Sequence, residues 1–479
     1  MKSKLSFIDL VIVGVMASVG FSLLLPAILR QRAAARNALC ASNLKALGLA
    51  MHNYHAAFNQ LPPGLGGTVG GEDDTCNQGR LGPIVGFTPF LEQQALWEKI
   101  ANPYVSPKTG KRFPPMGPAP WFDAAEYDPW ASAFSTLRCP DDMETQPETP
   151  KQEPIVVTTL AMPDLPPGAI DSTTLCNYVM CYGDGTYLMG EMIDINDVEA
   201  VNRVRAGMRG AFCGNQRMRF RDMLDGLSNT IGMSETISPG INDAKESHIA
   251  QGIKGLSLNP SLCLKTRDGD HADWWDVRRG SRWADGTLAI SGFQTVLPPN
   301  SPTCLSDLGM EDPIASASSR HPGGVHALML DGRVVFIGDS IDCGDPSQPG
   351  VSVGEDYARP GSPSPYGVWG ALGTRASKEV LPNPNPDLKP VETGPVGNRN
   401  GQAQGNDPER RWATWTDRDG KHRLKARVNR IIDRETVELE DSRGILHRVP
   451  LNTLSDSSIV MAVTMYEMGL ELKAAAKPE

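Results

Sequence analysis

His321 stands in the run Ser319-Arg320-His321-Pro322-Gly323-Gly324, and an imidazole is the side chain that moves protons or ligates metals near neutral pH. Catalysis there needs a nucleophile or a second ligand close by, and the adjoining residues offer neither. A Pro-Gly-Gly turn entering a strand accounts for the segment equally well. A second concentration of chemistry lies at Asp268, Asp270, His271, Asp273 and Asp276. Oxygen-rich loops bind Ca²⁺, but an EF-hand spacing wants an acid at its fifth position, where Ala272 stands. Asp268, Asp270 and Asp273 are thus candidate metal ligands, with a solvated acidic loop the preferred reading and no cofactor expected. Trp274, Trp275 and Trp283 follow. Their faces are suited to stacking on a sugar, although burial in a core is the simpler use of such rings.

Three further groupings each admit a chemical and a structural use. His52 and His55 lie three apart on a helical pattern and are close enough to share a metal, yet Asn53 and Tyr54 between them suit a helix end packed on a sheet. Asp225, Ser228, Asn229 and Glu235 could surround Ca²⁺, but the Asp225-Gly226 turn calls for capping side chains of these types. The nine cysteines are Cys40, Cys76, Cys139, Cys176, Cys181, Cys213, Cys263, Cys304 and Cys343. None are spaced Cys-x-x-Cys, which removes zinc ribbons and thioredoxin-like sites. In an oxidising compartment several would pair, and the odd count leaves at least one unpaired in a monomer. Cys176 and Cys181 either bridge locally or lie on different faces of a strand; spacing does not decide the connectivity. No nucleophile elbow, Walker loop, HExxH or dinucleotide fingerprint occurs in a supporting context.

The elements that must position these residues begin with an apolar run. Residues 5–29, LSFIDLVIVGVMASVGFSLLLPAIL, carry one charge, Asp9, and a late Pro26. As a helix the run would rise roughly 37 Å, against a bilayer core about 30 Å thick. It is longer than the apolar region of a secretory signal. The expectation is a single-pass helix in the cytoplasmic membrane, with lipid as a partner and the later domains periplasmic or at the cell surface. Lys2 and Lys4 precede the run while Arg30, Arg32 and Arg36 follow it, so the positive-inside rule gives no orientation; the cysteines and the Pro/Gly-rich remainder favour an outside location. Residues 30–60 continue as an amphipathic helix, with Leu39, Leu47, Ala50, Met51, Tyr54 and Phe58 as its apolar stripe. Leu61-Pro62-Pro63-Gly64 ends it.

Beyond that helix, 48 glycines and 39 prolines in 479 residues imply many turns and short strands. Residues 61–375 read as an antiparallel, β-rich domain. Its clearest unit is Val325–Ile337, two β-forming runs meeting at Asp331-Gly332, a pair suited to a type I′ hairpin. Residues 376–409, poor in core-forming side chains, read as a disordered linker. Residues 410–470 alternate apolar and charged positions over several short strands and suggest a small β-barrel. The fold class expected is therefore α+β. A net charge of −10 with no basic stripe argues against a nucleic-acid partner.

Several motifs occur in a family's order: LLLPA at 23–27, Cys40-Ala41-Ser42-Asn43-Leu44-Lys45, LGLAMHNYH at 47–55, Pro62-Pro63-Gly64, TPFLEQQALW at 88–97 and Arg138-Cys139-Pro140-Asp141. They continue with Cys176-Asn177-Tyr178, Asp225-Gly226-Leu227-Ser228-Asn229-Thr230, Ser319 to Val325, the Asp331-Gly332 turn and Trp369 to Arg375. In these the chain resembles a large pilin-like secreted family common in planctomycetes, whose main domain has no assigned function. WTDRDGKHRLKARV at 415–428 and VPLNTLSD at 449–456 are similar to a Sla-homology, SH3-like domain.

The first resemblance implies a pilin-like fold, with a long helix whose outer half packs on an antiparallel sheet, and no catalytic activity. Family members carry a glycine before a cleavage site, an aromatic after it and a glutamate four residues further on. Registering on LLLPA puts Lys4, Leu5 and Asp9 at those positions; registering on Phe7 puts Ser6 before the site and Val11 at the acid. The processing motif is degraded in either register, so the N-terminus is expected to stay uncut, and Asp9 either pairs with Lys4 or simply sits at the headgroup level. The function expected is a non-catalytic, membrane-anchored pseudopilin-like structural or interaction protein. Its partners would be other pilin-like subunits or secretion machinery, with a peptide or cell-wall ligand for the terminal barrel. The alternatives are an extracellular glycan- or solute-binding module using the tryptophans and, last, a metal-dependent hydrolase on the Asp/His loop.

Overall fold

A computed structural model describes residues 7–132, 134–143, 175–186, 198–214, 216–239, 245–267, 273–307, 309–351, 353, 361–379, 388–390, 413–416, 423–432, 436–441, 446–450 and 453, with side chains of the first helix from residue 31 onward. The chain divides into two compact units, Met1–Val396 and Gly397–Glu479.

The first unit opens with α1 (Phe7–Phe58). Cys40, Ala41, Leu44, Leu47, Ala50 and Met51 form its buried face, at the three- and four-residue spacing of a helix lying on a core. The predicted stripe is shifted: Leu39 and Phe58 are 54% exposed, and Cys40, Ala41 and Leu44 take the inward positions. The helix stops where Asn59 adopts a positive φ of 53°, just ahead of the Leu61-Pro62-Pro63 break.

The membrane expectation is corrected here. Among the described residues no helix is long and apolar enough to cross a membrane, which removes the basis for a single-pass location in the cytoplasmic membrane. From residue 31 onward α1 interleaves Arg32, Arg36, Asn37 and Lys45 with its apolar positions, and of the latter Cys40, Ala41, Leu44, Leu47, Ala50 and Met51 face protein. That described stretch offers no continuous apolar cylinder to lipid. Lys4 and Leu5 lie outside the described residues, and Asp9 is described only as helical backbone.

After α1 come α2 (Pro83–Phe87), α3 (Gln94–Ala101), the short antiparallel pair β1 (Tyr104–Val105) and β2 (Arg112–Phe113), and α4 (Pro140–Met143). The central sheet uses β3 (Tyr178–Cys181), β4 (Ile231–Glu235), β6 (Gly292–Phe293), β9 (Gly324–Met329), β10 (Val334–Gly338) and β11 (Leu388–Pro390). Its order is β11-β10-β9-β4-β3-β6, antiparallel throughout except for the β3–β6 pair. Strand β11 falls within the stretch read as a linker and pairs with the edge of β10. A smaller sheet joins β5 (Ile249–Ile253), β7 (Thr303–Ser306) and β8 (Gly309–Ile314). Helix α5 (Val198–Gly207), α6 (Leu288–Ser291) and α7 (Gly367–Gly373) complete the unit.

Strand alternation divides the central sheet into two faces. Tyr178, Met180, Met233 and Leu328 join the core that contains the α1 side chains. Val179, Cys181, Val325, Ala327, Val335 and Ile337 point the other way, onto Trp369 and Leu372 of α7. Gly48 lets α1 approach β9 closely, since a Cβ there would stand 2.8 Å from the Leu328 side chain. The β9–β10 hairpin forms where predicted, but Gly332 alone in the turn takes a positive φ, 89°. The Met329 N–H donates to Arg333 O and the Gly332 N–H to Met329 O. The turn is thus a bulged three-residue loop rather than type I′, whose two central residues both need positive φ.

In the second unit β12 (Ala413–Thr416), β13 (Arg423–Ile432), β14 (Thr436–Asp441) and β15 (Leu446–Pro450) form one antiparallel sheet in that order. A barrel requires its two edge strands to pair. Among the described residues β12 and β15 remain edges, so the expected closed barrel is replaced by an open four-stranded sheet.

Candidate functional site

Four of the nine cysteines are paired, two of them at the point where α1 meets the head. Cys40 bonds to Cys139, 99 residues away, with Cα atoms 4.9 Å apart; Cys263 bonds to Cys304. Cys176 and Cys181, considered as a local bridge, are both free and buried.

The Cys40–Cys139 bond borders a buried ionic cluster, assembled by strand register. Tyr178 of β3 pairs with Glu235 of β4, and Met233 and Ser234 pair with Leu328 and Ala327 of β9. Continuing that register sets Glu235 opposite His326, on the face toward α1. The Glu235 carboxylate accepts from the His326 backbone N–H at 2.8 Å and from His326 Nδ1 at 3.1 Å. The third member, His321, comes from the turn before β9, and its Nε2 lies 3.2 Å from the same Glu235 oxygen. The other ring nitrogen, Nδ1, is 2.8 Å from Asp141 at the start of α4 and 3.3 Å from Asn37 of α1. Cys139 Sγ stands 3.7 Å from His321 Nε2.

Around this core Arg36 of α1 pairs with Asp141 at 2.5 Å. Asp142 accepts from Asn177, from Ser238 N–H and from the Ser238 hydroxyl. Arg320 reaches Asp142 at 3.4 Å and Glu246 at 3.3 Å. Two more ties fasten α1 to the head: Tyr178 Oη donates to Cys40 O, and Asn43 Nδ2 donates to Arg138 O.

The side chains of Glu235, His321 and His326 are at most 2% exposed, so the charges act in a low-dielectric setting. Burial alone would raise the Glu235 carboxyl, but hydrogen bonds and charge from His321 and His326 prevail and bring it down to about 2. Burial pulls the His321 ring downward, and the Glu235 and Asp141 carboxylates more than reverse that, leaving it above the usual imidazole value. The His321 ring is held between the Asp141 and Glu235 carboxylates, with both ring nitrogens occupied. The nearby hydroxyls are committed elsewhere: Ser319 Oγ donates to Gly324 O and Ser238 Oγ to Asp142. The arrangement supplies charge pairing and potential metal donors rather than an activated nucleophile.

A family model described as "Protein of unknown function (DUF1559)" matches residues 30–344, well over half of the chain. The chain belongs to this family. The DUF1559 match encloses Cys40, Cys139, Glu235, His321 and His326, so the cluster is internal to the family domain. No curated protein and no solved structure matches the chain.

The other residues singled out in the DUF1559 domain are dispersed. Trp275 is 5% and Trp283 1% exposed. Trp283 donates its Nε1–H to Trp130 O, Trp275 packs in a small core with Ile249, Ala289, Ile290 and Leu305, and Trp274 is half-buried against the core of the small sheet. This segment is knotted by the buried Arg279 guanidinium, which donates to the carbonyls of Leu288, Ala289, Gly292 and Ser316. Asp268, Asp270 and His271 lie outside the described residues, while Asp273 accepts from the Gln251 N–H through its backbone carbonyl.

His52 and His55 do not converge on one ion. His52 Nε2 is 2.9 Å from Leu330 O, and His55 Nε2 accepts from the Phe220 N–H while its ring stacks on Phe220. Asp225 accepts from the N–H groups of Ser377 and Lys378, leaving Glu235 to the buried cluster. Reading residues locally missed Glu235, His326, Cys40 and Cys139 as companions of His321. The one local sign was the five-residue spacing of His321 and His326 across a Pro-Gly-Gly turn.

Proposed function

We propose that this DUF1559 protein is a non-catalytic structural or interaction protein of pilin-like construction, with a long helix fastened along half its length to a sheeted head. The observation that carries the reading is the concentration of three ties within five consecutive positions of α1, residues 36–40. Arg36 bonds to Asp141, Asn37 meets His321, and Cys40 is covalently joined to Cys139. These charged groups are spent on one another and on holding a helix. The SH3-like reading of the terminal sheet fits as a second contact surface for a peptide or cell-wall ligand, by analogy alone.

Photo-crosslinking from the intact chain tests the proposal, with a benzophenone placed at Leu39 or Leu49, whose side chains are 54% and 64% exposed on α1. The expected result is a covalent adduct with a second protein chain, either another copy or another pilin-like subunit. A chain that stays uncrosslinked and turns over a substrate, with loss on Glu235→Gln, overturns it.

A further inference from the structure

We infer that Cys40, Cys139, His321 and Glu235 form a latent zinc site that the Cys40–Cys139 disulfide keeps closed and reduction opens. One ligand atom from each residue lies within 4.8 Å of all the others, and all four residues are buried. Among the described residues no other set of three or more His, Cys, Asp and Glu groups is arranged in this way.

Tetrahedral zinc, with Zn–S about 2.3 Å and Zn–N or Zn–O about 2.0–2.1 Å, sets neighbouring ligand atoms roughly 3.3–3.8 Å apart. The Cys139 Sγ to His321 Nε2 distance is 3.7 Å and the His321 Nε2 to Glu235 Oε1 distance is 3.2 Å. The outer contacts also have the form found behind metal-bound imidazoles. Asp141 sits 2.8 Å from His321 Nδ1, which orients the ring with Nε2 toward the sulfur and raises its donor strength. The second Glu235 oxygen is anchored by the His326 N–H. Two thiolates with one imidazole and one carboxylate select zinc over the harder cations.

The second disulfide provides an internal contrast. Cys263 and Cys304 are surrounded by the Thr266 hydroxyl and by the carbonyls of Pro302 and Cys263, with no imidazole or carboxylate grouped beside them among the described residues. Opening that bond would free two thiols without assembling a site.

The chemistry balances as follows. Two molecules of a thiol reductant supply two electrons and two protons; the Cys40–Cys139 S–S bond breaks, both cysteines become thiols, and the reductant becomes a disulfide. Zinc then displaces one proton from each thiol to solvent, and two Zn–S bonds form. This site stands apart from the structural proposal above: a zinc-free chain could still be a scaffold, and a zinc-bound one need not be.

The test uses the full chain carrying Cys263→Ser and Cys304→Ser, so that only one disulfide can open. After reduction with a phosphine and anaerobic desalting, Zn²⁺ is added and bound metal counted by mass spectrometry. One equivalent per reduced chain and less than about a tenth in the oxidised chain is expected. Co²⁺ in place of Zn²⁺ should give thiolate-to-metal charge-transfer bands with tetrahedral d–d bands. Asp141→Asn, which only positions His321, should weaken zinc binding about 10- to 100-fold while the thiolate bands persist. Failure of the reduced chain to take up stoichiometric zinc overturns the inference, as does a cobalt spectrum without thiolate bands. Unchanged zinc binding in a folded variant that also carries Cys40→Ser and Cys139→Ser overturns it too.

Discussion

The two faces of the central sheet are held by different physics. Toward α7, Val179, Val325, Val335 and Ile337 meet Trp369 and Leu372 in an apolar layer. Toward α1, apolar contacts from Leu44, Leu47 and Leu328 share the interface with Glu235, His321, His326 and a disulfide. The apolar layer is non-directional and adapts to small changes of shape. The ionic side depends on each member keeping its partner, because an uncompensated charge at such depth costs far more than a lost methylene. One face gives bulk stability, and the other fixes where a particular helix lies.

That contrast can be broken most strongly at the covalent tie. Replacing both Cys40 and Cys139 by serine should cost about 4–5 kcal/mol, against about 4 kcal/mol for Cys263 and Cys304, because the longer loop regains more chain entropy. Denaturant melts of the two double variants measure the difference. Glu235→Gln removes the charge shared by two histidines and should cost about 3–5 kcal/mol, read as a lower melting midpoint and faster proteolysis around α1. On the opposite face Ile337→Val should cost only about 0.5–1.5 kcal/mol; a loss as large as that of Glu235→Gln would erase the distinction between the faces.

The smallest effect concerns pH at the C-terminal end of α1. Burial lowers the His52 value, although Leu330 O and the Asp331 charge oppose it. Burial also lowers His55, aided by repulsion from His52 and Arg219. With folded values below the unfolded 6.5, the unfolded chain takes up protons first. Their contribution is therefore complete above about pH 6.5 and declines as the pH falls through the folded values. His52→Gln with His55→Gln should flatten the stability profile between pH 7 and 5 relative to the parent, and an unchanged slope would refute this assignment.

Features encoded by neighbouring residues were legible in the sequence. The β9–β10 hairpin follows from two β-forming runs around Asp331-Gly332, and the end of α1 from Pro62 and Pro63. The buried side of α1 was legible only in part, because Leu39 and Cys40 differ by a 100° rotation and tertiary contact chose the cysteine. The apolar run at 5–29 suggested a membrane span, which the described helices do not supply. The Glu235–His321–His326 cluster was hidden for another reason. Glu235 and His321 are 86 residues apart, and only the β3–β4–β9 register brings them together. Disulfide partners are likewise set by fold and not by spacing.

The Cys40–Cys139 bond also determines what happens when the backbone is cut. A protease that nicks a peptide bond anywhere between residues 40 and 139 separates no fragment by that single cleavage, because both ends stay tethered through sulfur. The nicked molecule migrates as one species on a non-reducing gel and falls into two after reduction. Electrophoresis run both ways therefore reveals damage within α2, α3 and the β1–β2 pair that mass under oxidising conditions conceals.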